Sequence, residues 1–298
     1  MKEKTPHNFC GLGSQYTDYD SSAVVILPVP FDRTSTWIRG SRRGPRALID
    51  ASRNMELYDI ETDSEVCMRG LHTAGPVRSR TPERMVEKVH GRVSRYLQDG
   101  KFTVVLGGEH SVSVGSIAAH GKRYSSMSVL HLDAHSDRRD VYEGSRYNHA
   151  CVMARVGEMV ETTVSVGIRS MDASERSRMD RDRIFYAHEC LSSEEYVEQV
   201  PSFLTDNVYI TIDLDVFDPG VMPSTGTPEP GGLNWYQVMK LIRSVTERRR
   251  VVGFDVVELC PNRNRAPDFL AAKLVYKFLS LIFEAGYNGA GMVKTSNR

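Results

Sequence analysis

The sequence predicts an α/β fold: a single domain over residues 1–298 with a mostly parallel, doubly wound sheet of about eight strands, covered by helices on both faces. Three observations predict it. Short apolar, β-branched runs recur along the chain with helix-like stretches between them. The chain has 298 residues, 40% hydrophobic and 26% charged, enough for a sizeable core, and it shows no linker, internal repeat or low-complexity segment. Polar clusters of metal-ligand type follow two of the apolar runs, at the carboxyl ends where such sheets bind their ligands.

In chain order, strands are expected at Ala23 to Leu27, Thr103 to Leu106, Ser128 to Leu132, Thr163 to Val166, Arg183 to Tyr186, Val208 to Ile212 and Val251 to Val257, with a short eighth near Gly289 to Val293. Helices are expected at Pro45 to Ser52, Pro82 to Leu97, Val112 to His120, Leu233 to Thr246 and Pro267 to Ala285. In the last of these, Leu270, Leu274, Val275, Phe278, Leu281 and Ile282 recur with a helical period. The long irregular stretches run from Asp137 to Tyr147 and from Asp215 to Gly232, and the second has the Pro- and Gly-rich character of an active-site loop.

Composition excludes several function classes. Lys+Arg 38 balances Asp+Glu 38, so no global charge favours nucleic acid or an anionic membrane. The local basic groups, Arg39 with Arg42 and Arg43, and Arg248-Arg249-Arg250, read as solvated surface. Five cysteines without a Cys-x-x-Cys pair disfavour a zinc ribbon or a disulfide scaffold. A charged N-terminus without a signal-like apolar segment, and no apolar run of bilayer length, lead to the expectation of a soluble cytoplasmic protein.

The chemistry is concentrated in Asp133-Ala134-His135-Ser136-Asp137 and Asp213-Leu214-Asp215. On an extended chain, residues two apart point the same way, so Asp133, His135 and Asp137 share one side, and Asp213 and Asp215 share another. Burying so many ionisable groups together is too costly without a cation. Gly107-Gly108-Glu109-His110 follows another expected strand and adds His110. The candidate metal ligands are therefore His110, Asp133, His135, Asp137, Asp213 and Asp215, a set without sulfur that suits manganese by ligand type. Two ions would lower the pKa of a water between them and make it a nucleophile. His131 shares the side of Asp133 and is a candidate to support it, whereas Asp218, before Pro219, reads as a loop-ordering residue.

These blocks resemble the ureohydrolase family of arginases, agmatinases and their relatives. The resemblance is carried by Gly107-Gly-Glu-His110, Asp133-Ala-His-Ser-Asp137, Asp213-Leu-Asp-Val-Phe-Asp-Pro219, Gly226-Thr-Pro-Glu-Pro-Gly-Gly-Leu233, Asp255-Val-Val-Glu258 and Gly40-Ser-Arg-Arg-Gly-Pro-Arg-Ala47, in order over most of the chain. It implies an arginase-like fold and two manganese ions per subunit. By that resemblance His110 and Asp137 serve one ion, His135 and Asp215 the other, and Asp133 and Asp213 bridge. Activated water then attacks the guanidinium carbon, Glu258 binds the guanidinium, and the loop histidine His149 relays protons. A homo-oligomer, trimer or hexamer, is implied as well.

The loop after the first cluster bears on the substrate. Arginases carry an Asn two residues past its last Asp; here that position is Arg139, and the stretch from Arg138 to His149 looks like agmatinases. The expected reaction is cleavage of agmatine to putrescine and urea, with Asp140 or Glu143 as candidates for holding its amine. A guanidino acid such as guanidinobutyrate, or arginine, is the alternative, and a non-catalytic metal-binding relative is a more distant one. Binuclear phosphoesterases also use Asp-x-His, but they resemble one another in a later Gly-Asn-His-Asp/Glu block. Here Asn148-His149 has no Gly before it and no acid after it.

Overall fold

The structure, a computed structural model, describes residues 7–286. Its strands are β1 (Val24–Val29), β2 (Leu71–Thr73), β3 (Phe102–Gly107), β4 (Met127–Leu132), β5 (Thr162–Ile168), β6 (Ile184–Tyr186), β7 (Asn207–Asp213) and β8 (Arg250–Val257). They form one 8-stranded sheet in the order β2-β1-β3-β8-β7-β4-β5-β6, and every pairing is parallel. The expected fold class is therefore observed, with an all-parallel rather than mostly parallel sheet.

Each apolar run between Ala23 and Val257 became a strand, with its ends moved by a residue or two. The expected strand near Gly289 to Val293 lies outside the described residues. Among the described residues the eighth strand is β2, whose three residues, only Leu71 of them fully buried, are too few to register as an apolar run.

The expected helices appear as α1 (Gly44–Ser52), α2 (Pro82–Gln98), α3 (Ser113–Arg123), α7 (Trp235–Arg248) and α8 (Ala266–Glu284). Three more, α4 (Val152–Val156), α5 (Ala187–Ser192) and α6 (Glu195–Gln199), are five or six residues long and too short to show a helical period. Proline opens α1, α2 and α8 within their first two positions, where its missing N–H costs nothing.

Alternate residues of each strand serve opposite faces. In β1, Val24 and Ile26 pack with Leu48 of α1 and Leu274 of α8, while Val25, Leu27 and Val29 pack with Met85 and Val89 of α2. Val129, Tyr209 and Val252 pack against Val114 and Ile117 of α3. Covering both faces explains why the strands read as continuous apolar runs.

This topology positions the site. The chain leaves β3, skips over two sheet positions to β4, and later returns to fill the gap with β7 and β8. The carboxyl ends of β3, β8, β7 and β4 therefore lie side by side, spanning roughly 14 Å at ordinary strand spacing. The loop after β7 is stitched down by Asp218, whose carboxylate accepts the N–H groups of Gly220 (2.8 Å), Gly231 (2.9 Å) and Gly232 (3.2 Å), the loop-ordering role expected for it. Arg169 adds donors to the carbonyls of Asp215 (2.6 Å) and Glu229 (2.8 Å). All five cysteines are buried and free. No helix among the described residues is long and apolar enough to cross a membrane.

Candidate metal centre and active site

Six side chains from three strand ends converge. His110, in a short 3₁₀ turn after β3, places Nδ1 3.0 Å from Asp137 Oδ2, 3.1 Å from Asp133 Oδ2 and 3.6 Å from Asp213 Oδ2. His135 places Nδ1 3.0 Å from Asp215 Oδ2 and 3.5 Å from Asp133 Oδ1. Two groups of ligand atoms thus form, each within 4.8 Å, and Asp133 belongs to both: His110, His131, Asp133 and Asp137 in one, Asp133, His135 and Asp215 in the other.

The convergence is not produced by simple alternation along extended strands. β4 ends at Leu132, and Asp137 takes a left-handed backbone with φ 52. Asp213 is the last residue of β7, and Asp215 sits in the 3₁₀ turn that follows, its N–H donated to Asp213 Oδ1 at 3.0 Å. Turns aim these ligands, which corrects the extended geometry expected for both clusters.

Electrostatics shows what this crowding costs. Burial, then the charge of Asp133, pushes Asp137 up to about 7. Burial and the neighbouring Asp215 raise Asp213 well above the usual carboxylate range. Burial works against the charge on His110, yet Asp133 and Asp137 hold its pKa well above the ordinary value. Asp215 and Asp133 likewise raise His135 against its burial. The cluster retains protons that a cation would displace.

The supporting residues fix ring orientations. Thr211 Oγ1 donates to Asp255 Oδ1 (2.7 Å), so it accepts from His110 Nε2 (2.8 Å). That leaves His110 Nδ1 unprotonated in the neutral ring, and this buried atom has no hydrogen-bond partner. His131 is kept neutral by burial and makes contact at 2.7 Å from Nε2 to Asp133 Oδ2, with Ser165 Oγ 3.1 Å from Nδ1. It orients Asp133 and has no nitrogen left for a cation.

Glu258 follows β8 with a left-handed backbone, φ 64. Its Oε1 accepts the His110 N–H at 2.8 Å, and its own N–H donates to the Gly108 carbonyl at 2.7 Å. Burial and the nearby Glu109 raise its pKa well above normal. His149 opens a 3₁₀ turn capped by Asn148, whose side chain accepts the Ala150 N–H at 3.0 Å. Burial lowers the His149 pKa to about 4, so the ring is neutral near pH 7.

His110, His135, Asp137, Asp213, Asp215, Glu258 and His149 all line one cavity of about 250 Å³. Asp133 lies beneath it, fully buried. A larger cleft of about 1260 Å³, lined by Arg42, Arg46 and Arg263, lies away from these residues and carries none of this chemistry.

The model of the arginase family matches residues 22–280. The chain belongs to the arginase family. It is 37% identical over 276 residues to the N(1)-aminopropylagmatine ureohydrolase of Synechocystis sp., covering 88% of this chain and 90% of that protein. It is 33% identical to the agmatinase of Pyrococcus horikoshii, covering 89% and 93%. The crystal structure of the agmatine ureohydrolase of Thermoplasma volcanium superposes with a TM-score of 0.84 at 31% identity, covering 95% of this chain and 96% of that one. As an arginase-family ureohydrolase, this chain has two buried His/Asp groups consistent with a binuclear metal site.

The residues fit such a site: an orphaned imidazole nitrogen points at carboxylates that burial alone would not tolerate as anions. One set of expectations is corrected. Neither Asp140 nor Glu143 lines the cavity: Asp140 is drawn to Arg155 (2.6 Å), and Glu143 is exposed on the loop. Besides the metal-ligand carboxylates and Glu258, the carboxylate residues lining the cavity are Asp172 and Glu175, which form a capping box after β5. The Asp-x-x-Glu spacing was a legible signal for that box, though not for its place at the cavity. Thr211, which orients the His110 ring across the sheet, carried no local signal of that role.

Proposed function

We propose that this ureohydrolase removes urea from an amine-ended guanidino compound, agmatine or its N1-aminopropyl derivative. The observation that carries the reading is Glu258: a carboxylate pinned by the His110 N–H and lining the same cavity as both metal-ligand groups. A planar guanidinium seeks such a carboxylate, and holding it there fixes the direction of attack.

Two manganese ions per subunit fit the oxygen- and imidazole-rich donor set. His110 and Asp137 would hold one, His135 and Asp215 the other, with Asp133 and Asp213 shared. When bound, such a pair supplies Lewis acidity and lowers the pKa of water at the site. Water adds to the guanidinium carbon, and the bond from that carbon to the alkylamine nitrogen breaks. The leaving amine needs a proton, and neutral His149 on the cavity wall is the carrier for it.

Asp172 is the candidate for meeting an amine-ended tail: the residue lines the cavity, and its carboxylate, capped by Ser174, is shared with Arg139. The relatives with 37% identity and nearly full coverage act, by their names, on N(1)-aminopropylagmatine, which supports the longer amine as well as agmatine. A second reading, a guanidino acid, is favoured by Arg139, which lines the same wall 3.3 Å from Asp172. Assembly as a homo-oligomer, trimer or hexamer, in the cytoplasm completes the proposal, and light scattering tests the assembly.

The deciding experiment is urea release by manganese-loaded protein from agmatine, N1-aminopropylagmatine, arginine and 4-guanidinobutyrate. The amine-ended compounds are expected to lead arginine by at least about tenfold, the worth of one mismatched charged contact. Comparable turnover of arginine refutes the amine-ended reading. A lead for 4-guanidinobutyrate establishes the second, and metal binding without urea from any of them establishes a non-catalytic relative.

A further inference from the structure

The segment after β1 is fastened to the turn after β3. Gly108 donates its N–H to the Val29 carbonyl (3.0 Å), and Glu109 donates its own to the Phe31 carbonyl (2.8 Å). The approach is so close that a Cβ at Gly108 would lie 1.9 Å from the Phe31 oxygen. This brings Thr34 and Ser35 over Glu109, whose side chain is fully buried.

Glu109 Oε2 accepts the N–H groups of Thr34 (2.7 Å) and Ser35 (3.1 Å). Its Oε1 accepts the hydroxyls of Thr34 and Ser111, both at 2.6 Å. On its other side, Thr34 Oγ1 accepts the backbone N–H of His149 at 3.0 Å and lies 3.3 Å from His149 Nδ1. A threonine hydroxyl has one proton and two lone pairs. Burial works against the charge of Glu109, but two N–H groups and the Ser111 hydroxyl already donate to it and favour the carboxylate. The Thr34 proton therefore goes there too, and one lone pair of Thr34 takes the His149 backbone N–H. The remaining lone pair faces Nδ1, so that nitrogen must carry the ring proton.

We propose that Thr34, held by Glu109, is a positioning residue for His149: it fixes the ring as the Nδ1–H tautomer and leaves Nε2 as the nitrogen that gains and loses a proton. From the other direction, Asn148 caps the turn that carries His149. Tyr142 meets the ring edge-on, its centroid 6.3 Å away, and restricts its tilt. The inference rests on the reading of His149 as the proton carrier.

The test compares Thr34→Val, which keeps the shape and loses the hydroxyl, with Thr34→Ser, which keeps the hydroxyl. Each is made alone and in a His149→Gln background. Manganese content, urea release and the ¹⁵N shifts of the His149 ring in metal-free protein are measured. A positioned acid–base group supplies roughly 100- to 10,000-fold, and mispositioning forfeits part of it. Thr34→Val is therefore expected to lower kcat about 10- to 100-fold with metal content intact and KM little changed. Thr34→Ser is expected to restore most of kcat, and Thr34→Val to cost nothing further once His149 is Gln. The ring should be Nδ1–H in the parent and lose that preference in Thr34→Val.

An unchanged kcat in Thr34→Val, or the same loss in the His149→Gln background, overturns the proposal. If His149→Gln itself leaves turnover intact, the proton-carrier reading fails instead, and the ¹⁵N shifts still decide whether Thr34 sets the tautomer.

Discussion

Replacing Thr211 by valine removes one hydroxyl from the contact between β7 and His110 and leaves the side-chain shape unchanged. Thr211 Oγ1 stands 2.8 Å from His110 Nε2 and 2.7 Å from Asp255 Oδ1, in a region closed to solvent. Without it, the His110 ring Nε2–H is buried with no acceptor, a loss of about 1–3 kcal/mol. The ring is also free to turn Nδ1 away from Asp133 and Asp137. Loss of such an outer partner typically weakens a metal site about 10- to 100-fold, or about 1.4–2.8 kcal/mol, in line with the hydrogen-bond figure.

The loss should fall on one ion. His110 and Asp137 lie together, whereas His135 and Asp215 meet without contact to Thr211. Calorimetric titration of metal-free Thr211→Val with manganese should therefore resolve a weakened step beside a nearly unchanged one. Thr211→Ser should titrate like the parent. Parent-like affinity at both steps in a folded Thr211→Val protein, or equal weakening of both, would refute the assignment of Thr211 to His110.

The other predictions concern the proton carrier, the guanidinium clamp and pH. His149→Ala should lower turnover while metal content stays intact; loss of metal would make His149 a ligand instead. Glu258→Gln should lower kcat/KM by at least about 30-fold, the low end of about 2–5 kcal/mol for truncating a buried charged pair, and should leave manganese affinity near that of the parent. Wild-type turnover would remove Glu258 from substrate binding. Because burial and Asp133 raise Asp137 to about 7, its carboxyl takes up a proton as pH falls through that value, and an incoming cation must displace it. Manganese affinity should thus decline on acidification, with more protons released per ion below pH ~7 than above it; calorimetry in buffers of different ionisation enthalpy reads this, and pH-independent binding would contradict it.

Much of the fold was legible because its signals are local. Long apolar runs with β-branched residues had nowhere to go but a sheet buried on both faces. β2 leaves no signal in the sequence because three residues, two of them half-buried, make no pattern. The candidate site was legible as residue types: ligand-type side chains clustered just after strands. The route from cluster to convergence was not, since turns at Asp137 and Asp215 do the aiming. The acidic residues of the loop after Asp137 misled for a related reason. Asp140 found Arg155 fifteen positions on, while Asp172, on a different element, took the cavity wall.

By itself the sequence determined the chemistry: an imidazole and carboxylate donor set without sulfur, a glutamate three residues past Asp255, and a loop histidine. Those are properties of side chains and short spacings, and they survive without knowledge of where the chain goes. Which strand ends are neighbours came from the packing of the whole chain, because the order β3-β8-β7-β4 depends on where the chain returns. Packing also set the hydrogen-bond partners that orient two histidines of the site. His110 is set by Thr211, and His149 by Thr34, partners 101 and 115 residues away. A hydrophobic period is written within a few residues, but a hydrogen-bond partner across a sheet is specified only when packing brings the two together.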